Sequence, residues 1–176
     1  TADHRRCCLG LRAYAADNSA TVDSASAETL AGVLSTRALM DSPHGTAGDL
    51  VMIVSPEFYL AKILDFEEVQ TLDKHPNPSV VTGQVASLAG MPIVISEFVG
   101  ADLAATGLFT GSGSKTGYLL VNRNRWKMAV RRQAVVEIDK DVVRGIINCV
   151  STVRKTLFSI DSTKKNVIWS YNNSTS

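Results

Sequence analysis

Ser112 and Lys115, within Gly111-Ser-Gly-Ser-Lys-Thr-Gly117, are the residues whose types and spacing could do chemistry. A serine three residues before a lysine can set an amine beside a hydroxyl, which is how a Ser-Lys hydrolase activates its nucleophile. The same run has the look of a phosphate-binding loop. Both readings fail on neighbouring residues. Ser114 stands where a phosphate loop needs Gly before its Lys, and no helical pattern follows Thr116 to turn its N-terminus toward a phosphate. The motifs Ser112-x-x-Lys115 and Lys115-Thr-Gly117 should converge from separate elements, yet they share Lys115. Five of the chain's 12 glycines lie between Val99 and Gly117, so the segment reads as a long, mobile surface loop or hairpin tip, where partner contacts concentrate. Gly107, Gly111, Gly113 and Lys115 are its candidate subunit-contact residues.

A second candidate is the basic cluster Arg123, Arg125, Lys127, Arg131 and Arg132, with Trp126 inside it and no acid between. Such a group can meet a phosphate backbone non-specifically by charge and stacking, or pair with carboxylates of another subunit. His4, His44 and His75 are far apart and have no partner at metal or triad spacing. Asp65, Glu67 and Glu68 read as a solvated helix end, and the two sequons in Asn172-Asn-Ser-Thr175 matter only after export. Cys7, Cys8 and Cys149 make an odd set with no C-x-x-C, so free thiols are expected. No catalytic residue, cofactor or metal site emerges.

The totals agree. A chain of 176 residues with 45% hydrophobic and 20% charged side chains is one ordinary globular domain, or one with an extension. A formal charge of +1 gives no field for a dedicated nucleic-acid binder. No apolar run of ~18 residues is present, and no signal-like segment follows Thr1-Ala-Asp-His-Arg-Arg, so no membrane partner is expected. Thr1 in place of Met leads us to expect a processed or excised product.

The elements that would position these residues centre on Asp49 to Phe66. Leu50 to Val54 contain no polar side chain, as in a strand covered on both faces. Ser55 is placed to cap a helix, Pro56 fits its first position, and Glu57 meets the positive end of its dipole, with Tyr59, Leu60, Ile63 and Leu64 on one face. Thr1 to Ser26 reads as an irregular lead-in with one short helical or strand-like piece at LGLRAYA and little core. Ser26 is the expected N-cap of a helix with Ala27, Leu30, Val33, Leu34 and Ala38 on one face. Lys74 to Ser79 is a turn, and short strands at Gln84 to Leu88 and Met91 to Ser96 should join the sheet of Leu50 to Val54. Tyr118 to Val121 is a strand, Asn122 to Lys127 an interruption, and Asn166 to Tyr171 a last strand.

From Val143 on, Ile147, Cys149, Val153 and Leu157 alternate with Arg144, Asn148, Thr152, Arg154 and Thr156, a period of two. As one strand, Val142 to Phe158 is some three times the usual ~5–6 residues. Paired with Met128 to Ile138 across Asp139-Lys140-Asp141, it forms a hairpin that needs cover from elsewhere in the protein or from another subunit.

The order of these segments resembles the C-terminal half of a tailed-bacteriophage major capsid protein of the Hong Kong 97-like fold. The likeness rests on LVMIVSPEFYLAKIL, LAGMPIVISEFV, the glycine-rich insertion, GYLLVNRNRWKMAVRRQAVVEID, and DVVRGIINCVSTVRKTLFS with NVIWSYN, in that order. It implies an α+β fold: a mixed sheet with flanking helices, the axial domain, plus a long β-hairpin from the peripheral domain. It also implies a division into 1–25, a lead-in after a missing spine helix; 26–127, axial domain; 128–160, the peripheral hairpin; and 161–176, the returning strand and polar tail. Implied partners are copies of the chain in hexamers and pentamers, with scaffolding and portal proteins, in a virion assembled in the host cytoplasm. Nothing here matches the N-terminal arm, extended loop or spine helix, so a C-terminal portion is expected. A nanocompartment shell of the encapsulin type is the alternative, with the Ser-Lys hydrolase behind it.

Overall fold

The structure, a computed structural model, describes residues 10–26, 28–41, 49–66, 87–100, 102–108, 110–111, 113–141, 143–161 and 165–174. Lys74 to Ser79, Glu67, Glu68, Ser112, Cys7, Cys8 and the three histidines lie outside them.

The α+β expectation is met. Six strands form a mixed sheet in the order β1-β8-β5-β2-β4-β3, and two more, β6 and β7, form a separate ribbon. The sheet strands are β1 (Thr21–Ser26), β2 (Leu50–Val54), β3 (Ser87–Leu88), β4 (Met91–Ile95), β5 (Lys115–Asn122) and β8 (Val167–Ser174). β2 pairs antiparallel with β5 and parallel with β4, so the segments around Met91 do join its sheet. Leu50, Met52 and Val54 are fully buried, but Val51 and Ile53 only half so. The strand covered at nearly every position is instead β5, from Thr116 to Asn122, whose neighbours in the sheet are β2 and β8.

Ser55 caps α3 (Pro56–Phe58) as expected, accepting from the Phe58 N–H at 3.1 Å. The helix then widens into one π-helical stretch, Tyr59–Ile63, in which the Leu64 N–H reaches the Tyr59 carbonyl. Each residue of a wider turn advances through a smaller angle, which redraws the buried face as Phe58, Tyr59 and Ile63. Leu60, expected inside, is 66% exposed.

Two further expectations are corrected. The lead-in is ordered and contributes core: α1 (Leu11–Asp17) buries Tyr14 and Ala15, and β1 pairs parallel with β8. Ser26 does not cap a helix, because it is paired with Asn173 in that ladder. α2 (Leu30–Ala38) starts three residues later, with Thr29 accepting from the Gly32 N–H at 3.2 Å. Val33 and Thr36 are its buried residues, whereas Leu34 faces out.

The ribbon runs from β6 (Trp126–Asp141) to β7 (Ile146–Ser159), in place of the shorter hairpin expected. Asp139, Lys140 and Asp141 are not the turn; they pair with Asn148, Ile147 and Ile146, and the chain reverses through Val143 to Gly145, whose φ of +64° suits glycine. The register slips between Val130 and Arg132 and again between Arg132 and Val135, so both bulges are on β6. At the root, Trp126 meets Tyr14 edge-on at 4.8 Å, and the Tyr14 hydroxyl donates to the Asp161 carbonyl at 3.0 Å. α1 thus ties the ribbon to the sheet.

Candidate functional site

The glycine-rich segment is held tightly at one end of β5. Leu103 and Lys115 exchange two backbone hydrogen bonds, at 2.9 and 3.1 Å. The Thr116 hydroxyl donates to the Gly100 carbonyl at 3.0 Å, and an Arg12 Nη donates to the Gly107 carbonyl at 2.7 Å. Gly107 (φ +76°) sits so close to Tyr171 and the Trp169 indole that a Cβ would have to displace them. At Gly113 a Cβ would strike the Leu103 backbone. The glycines therefore permit close approach of backbone to its neighbours, where the composition reads as loop mobility. Gly111 is exposed with φ +72°, but Lys115 is the first residue of β5 and belongs to the sheet. Lys115 is drawn into the ladder because the strand starts three residues earlier than Tyr118. Around these residues Phe98 is 99% exposed and Leu108 66%, with Glu97 and Asp102 exposed nearby in sequence. Sequence reading missed Phe98, since one aromatic carries no signal of its own exposure.

The basic cluster lies at the other end of β5. Arg123 and Arg125 occupy a 3-10 turn, while Lys127, Arg131 and Arg132 stand on β6. Arg132 pairs with Glu137 at 3.0 Å and lies across the ladder from Arg154. An ion pair this exposed adds little stability.

Ribbon register separates two faces. One presents Met128 opposite Leu157, Val130 opposite Lys155, Val136 opposite Ser151, Ile138 opposite Cys149 and Lys140 opposite Ile147. The other carries more charge, with Lys127, Arg132 opposite Arg154, Glu137 and Asp139, but also presents Phe158, Val135, Val150 and Ile146. Two bulges shift β6 by two residues, which restores its alternation beyond them and leaves the first face the more apolar of the two, with Lys155, Ser151 and Lys140 as its polar positions. Met128, Val130, Val136, Ile138, Ile147 and Val153 on that face are all exposed.

Sequence reading also missed a buried polar cluster. Glu28 is buried between α2 and the sheet, accepting from the Ser170 hydroxyl at 3.5 Å, while the Tyr118 hydroxyl donates to Thr36 Oγ1 at 3.3 Å. Burial raises the Glu28 carboxyl above its ordinary value of 4.5, against hydrogen bonds from Tyr118, Ser170 and Ser24 that pull it down. Burial and the Glu28 charge push the Tyr118 phenol up. A Cβ at Gly32 would meet the Glu28 carboxylate, which would have to shift to make room. A folded-state pKa above the unfolded one makes native Glu28 bind its proton more tightly, so its contribution is full below the unfolded pKa and lost as pH rises through the folded one. Stability should therefore fall with rising pH above about 4.5, and Glu28→Gln should remove that part of the slope. Urea midpoints from pH 4 to pH 8 measure it; equal slopes for the two proteins would show that Glu28 does not carry the effect.

Among the described residues no three His, Cys, Asp or Glu side chains are grouped to hold a metal, and no helix is long and apolar enough to cross a membrane. No family model matches the chain, and no curated protein matches its sequence. Solved structures do. A chain of Mycobacterium phage Che8 superposes with a TM-score of 0.58 at 11% identity, over 90% of this chain and 58% of the other. A chain of the cyanophage P-SCSP1u capsid gives 0.55 at 17% identity, over 82% and 47%. The holo-SrpI encapsulin complex of Synechococcus elongatus PCC 7942 gives 0.54 at 10% identity, over 90% and 54%. The chain thus spans about half the length of these structures. Its mixed sheet, flanking helices and projecting ribbon are the fold of the Hong Kong 97-like shell proteins.

Proposed function

We propose that this chain is the C-terminal portion of the major capsid protein of a tailed bacteriophage, a structural subunit without catalysis that assembles with copies of itself into the shell around the genome. The observation that supports it most is the ribbon, 16 and 14 residues in its two strands, whose apolar side chains remain exposed in the single chain. A two-stranded ribbon is marginal alone in water, so a subunit that displays one gains from covering it with neighbours. The fold points the same way, since two of the three structures described above come from phages.

In this reading residues 26–127 form the axial domain and 128–160 the peripheral hairpin, with 161–176 returning to the axial sheet; β1 adds 21–26 to it. Gly107, Gly111 and the neighbouring loop face adjacent subunits, and Lys115 braces that loop from the sheet. Arg123, Arg125, Lys127, Arg131 and Arg132 meet either a neighbour's carboxylates or DNA without base preference. The subunit resides in the virion, in hexamers and pentamers, with scaffolding and portal proteins as further partners.

Negative-stain microscopy of the full-length parent should show closed shells. Discrete dimers at every concentration would overturn the proposal. The likeness to an encapsulin favours a second reading, a nanocompartment shell. Small uniform shells that co-purify with an enzyme and lack DNA would select it.

A further inference from the structure

The near-zero total charge conceals a separation of charge within the fold. The root half of the ribbon, 126–136 on β6 and 151–159 on β7, carries Lys127, Arg131, Arg132, Arg154 and Lys155 and no acid. These are five of the chain's 18 Lys and Arg and none of its 17 Asp and Glu, which leaves the remainder net negative. All five are exposed. Ladder register sets Arg154 directly opposite Arg132, although the two are remote in sequence. Like charges directly opposite destabilise a strand pair. Among the described residues Glu137 is the one carboxylate paired with any of the five, and it reaches Arg132 alone, at 3.0 Å.

We infer that this root half is a docking surface for the phosphate backbone of duplex DNA, bound without regard to base sequence. The inference rests on the shell-subunit reading, which supplies the DNA, and it selects phosphate over a neighbour's carboxylates. Lys127, Arg132 and Arg154 stand on one face of the ribbon. Their rows run from Phe158 to Arg154 on β7, about 14 Å, and a duplex presents about eight phosphates over that length. Arg131 in the first bulge and Lys155 on the opposite face add to the field around them. Trp126 is half-buried and its ring is engaged edge-on by Tyr14, so the surface has no aromatic platform for a base. Arg123 and Arg125 precede the ribbon in a turn shared with Asn124, whose amide donates to the Asp49 carboxylate at 2.6 Å, so an acid borders the surface on that side.

Charge and area both favour DNA over a second copy. The tip half of another ribbon, laid antiparallel over this root, would bring Glu137, Asp139 and Asp141 but also Lys140, too little negative charge for five cations. A ribbon of this length offers a footprint of about 45 by ~10 Å, roughly half of the ~800 Å² per partner of a stable protein interface. Phosphate contact needs no such area, because its driving force is the release of counterions for each phosphate neutralised.

The test follows the anisotropy of a labelled ~20-bp duplex titrated with the 176-residue chain at rising salt. Two duplexes of unrelated sequence should bind equally, and log K should fall linearly with log[salt] with a slope of about −3 for three phosphate contacts. Arg132→Gln combined with Arg154→Gln should weaken binding at least about tenfold near ~50 mM salt and reduce the slope by about 2. Lys140→Gln combined with Arg144→Gln removes the same charge from the ribbon tip and should weaken binding far less. Thermal melts matching the unaltered chain establish that both double variants fold. No binding at low salt, an unchanged slope in the root variant, or an equal loss in the tip variant overturns the inference. So does sedimentation equilibrium in which the unaltered chain dimerises without DNA and the root variant does not, since the surface then serves a second copy. The shell reading is separable: closed shells from the parent beside a chain that leaves DNA unbound sink this contact alone, whereas DNA binding by the chain with no shells from the parent sinks the reading alone.

Discussion

Val54→Asp should leave the chain without a cooperative unfolding transition. Val54 has no exposed surface and ends β2, paired with Tyr118 on one side and Ile95 on the other. Its side chain belongs to the fully buried row with Leu50 and Met52, and no cation is among the core residues around it. An aspartate there is either an unpaired buried charge or a protonated acid that lacks its hydrogen bonds, and it also forfeits the valine's apolar burial. Such substitutions fall in the tail beyond about 4 kcal/mol, a large part of the ~5–15 kcal/mol that holds a domain of this kind together. Urea titration followed by circular dichroism measures the loss. Val94→Asp is the control, on the adjacent strand but 47% exposed, and should shift the midpoint only slightly. If Val54→Asp unfolds cooperatively at the unaltered midpoint, the strand is not where we place it.

Gly117→Ala should be nearly as damaging, although it adds one methyl group. Opposite Gly117 the β5–β8 register slips, with Thr116 paired to Asn173 and Tyr118 to Ser170. β8 therefore fits two residues, Tyr171 and Asn172, against one, and Asn172 turns through a φ of +65° to do so. Its side-chain amide donates to Asp23 Oδ1 at 2.7 Å, which holds the bulge in place. A Cβ at Gly117 would enter the Ser170 carbonyl oxygen and press the Trp169 ring, with Trp169 Cζ2 at 2.9 Å. A side chain can rotate away, but the carbonyl belongs to a central ladder and cannot. The cost should be about 3 kcal/mol, at the upper end for overpacking. A lower urea midpoint with the same m-value would report it, and an unchanged midpoint would mean that the two strands sit farther apart.

The composition of the glycine-rich segment marked an irregular stretch but gave an incorrect physical picture of it. Glycine density marks positions where a side chain is not wanted, and in isolation that reads as mobility. Here Gly107 and Gly113 are small because Tyr171, Trp169 and the Leu103 backbone already occupy the space. Trp169 and Tyr171 lie 62 and 64 residues from Gly107, and Leu103 lies ten residues from Gly113 and meets it through its bridge to Lys115, so no pattern of adjacent residues could reveal them. Glu28 was passed over for the same reason. It looks like a first-turn helix acid, and only the packing of α2 over β8 encloses it beside Ser170 and Tyr118.

Local physics was enough for much of this protein. The apolar run before Ser55, the Ser-Pro-Glu helix start, and the period of two along β7 each follow from residues a few positions apart, so they are legible in one dimension. The order of those segments was enough to indicate the shell-protein fold. Tertiary structure decided the rest: that β5 and not β2 is the most covered strand, that Ser26 serves a ladder and leaves the cap to Thr29, and that the ribbon turns at Gly145. It also decided which ribbon face is the more apolar, because two bulges on β6 realign it with β7 partners 17 to 25 residues away. Register is a property of two strands together, and neither strand's sequence contains it alone.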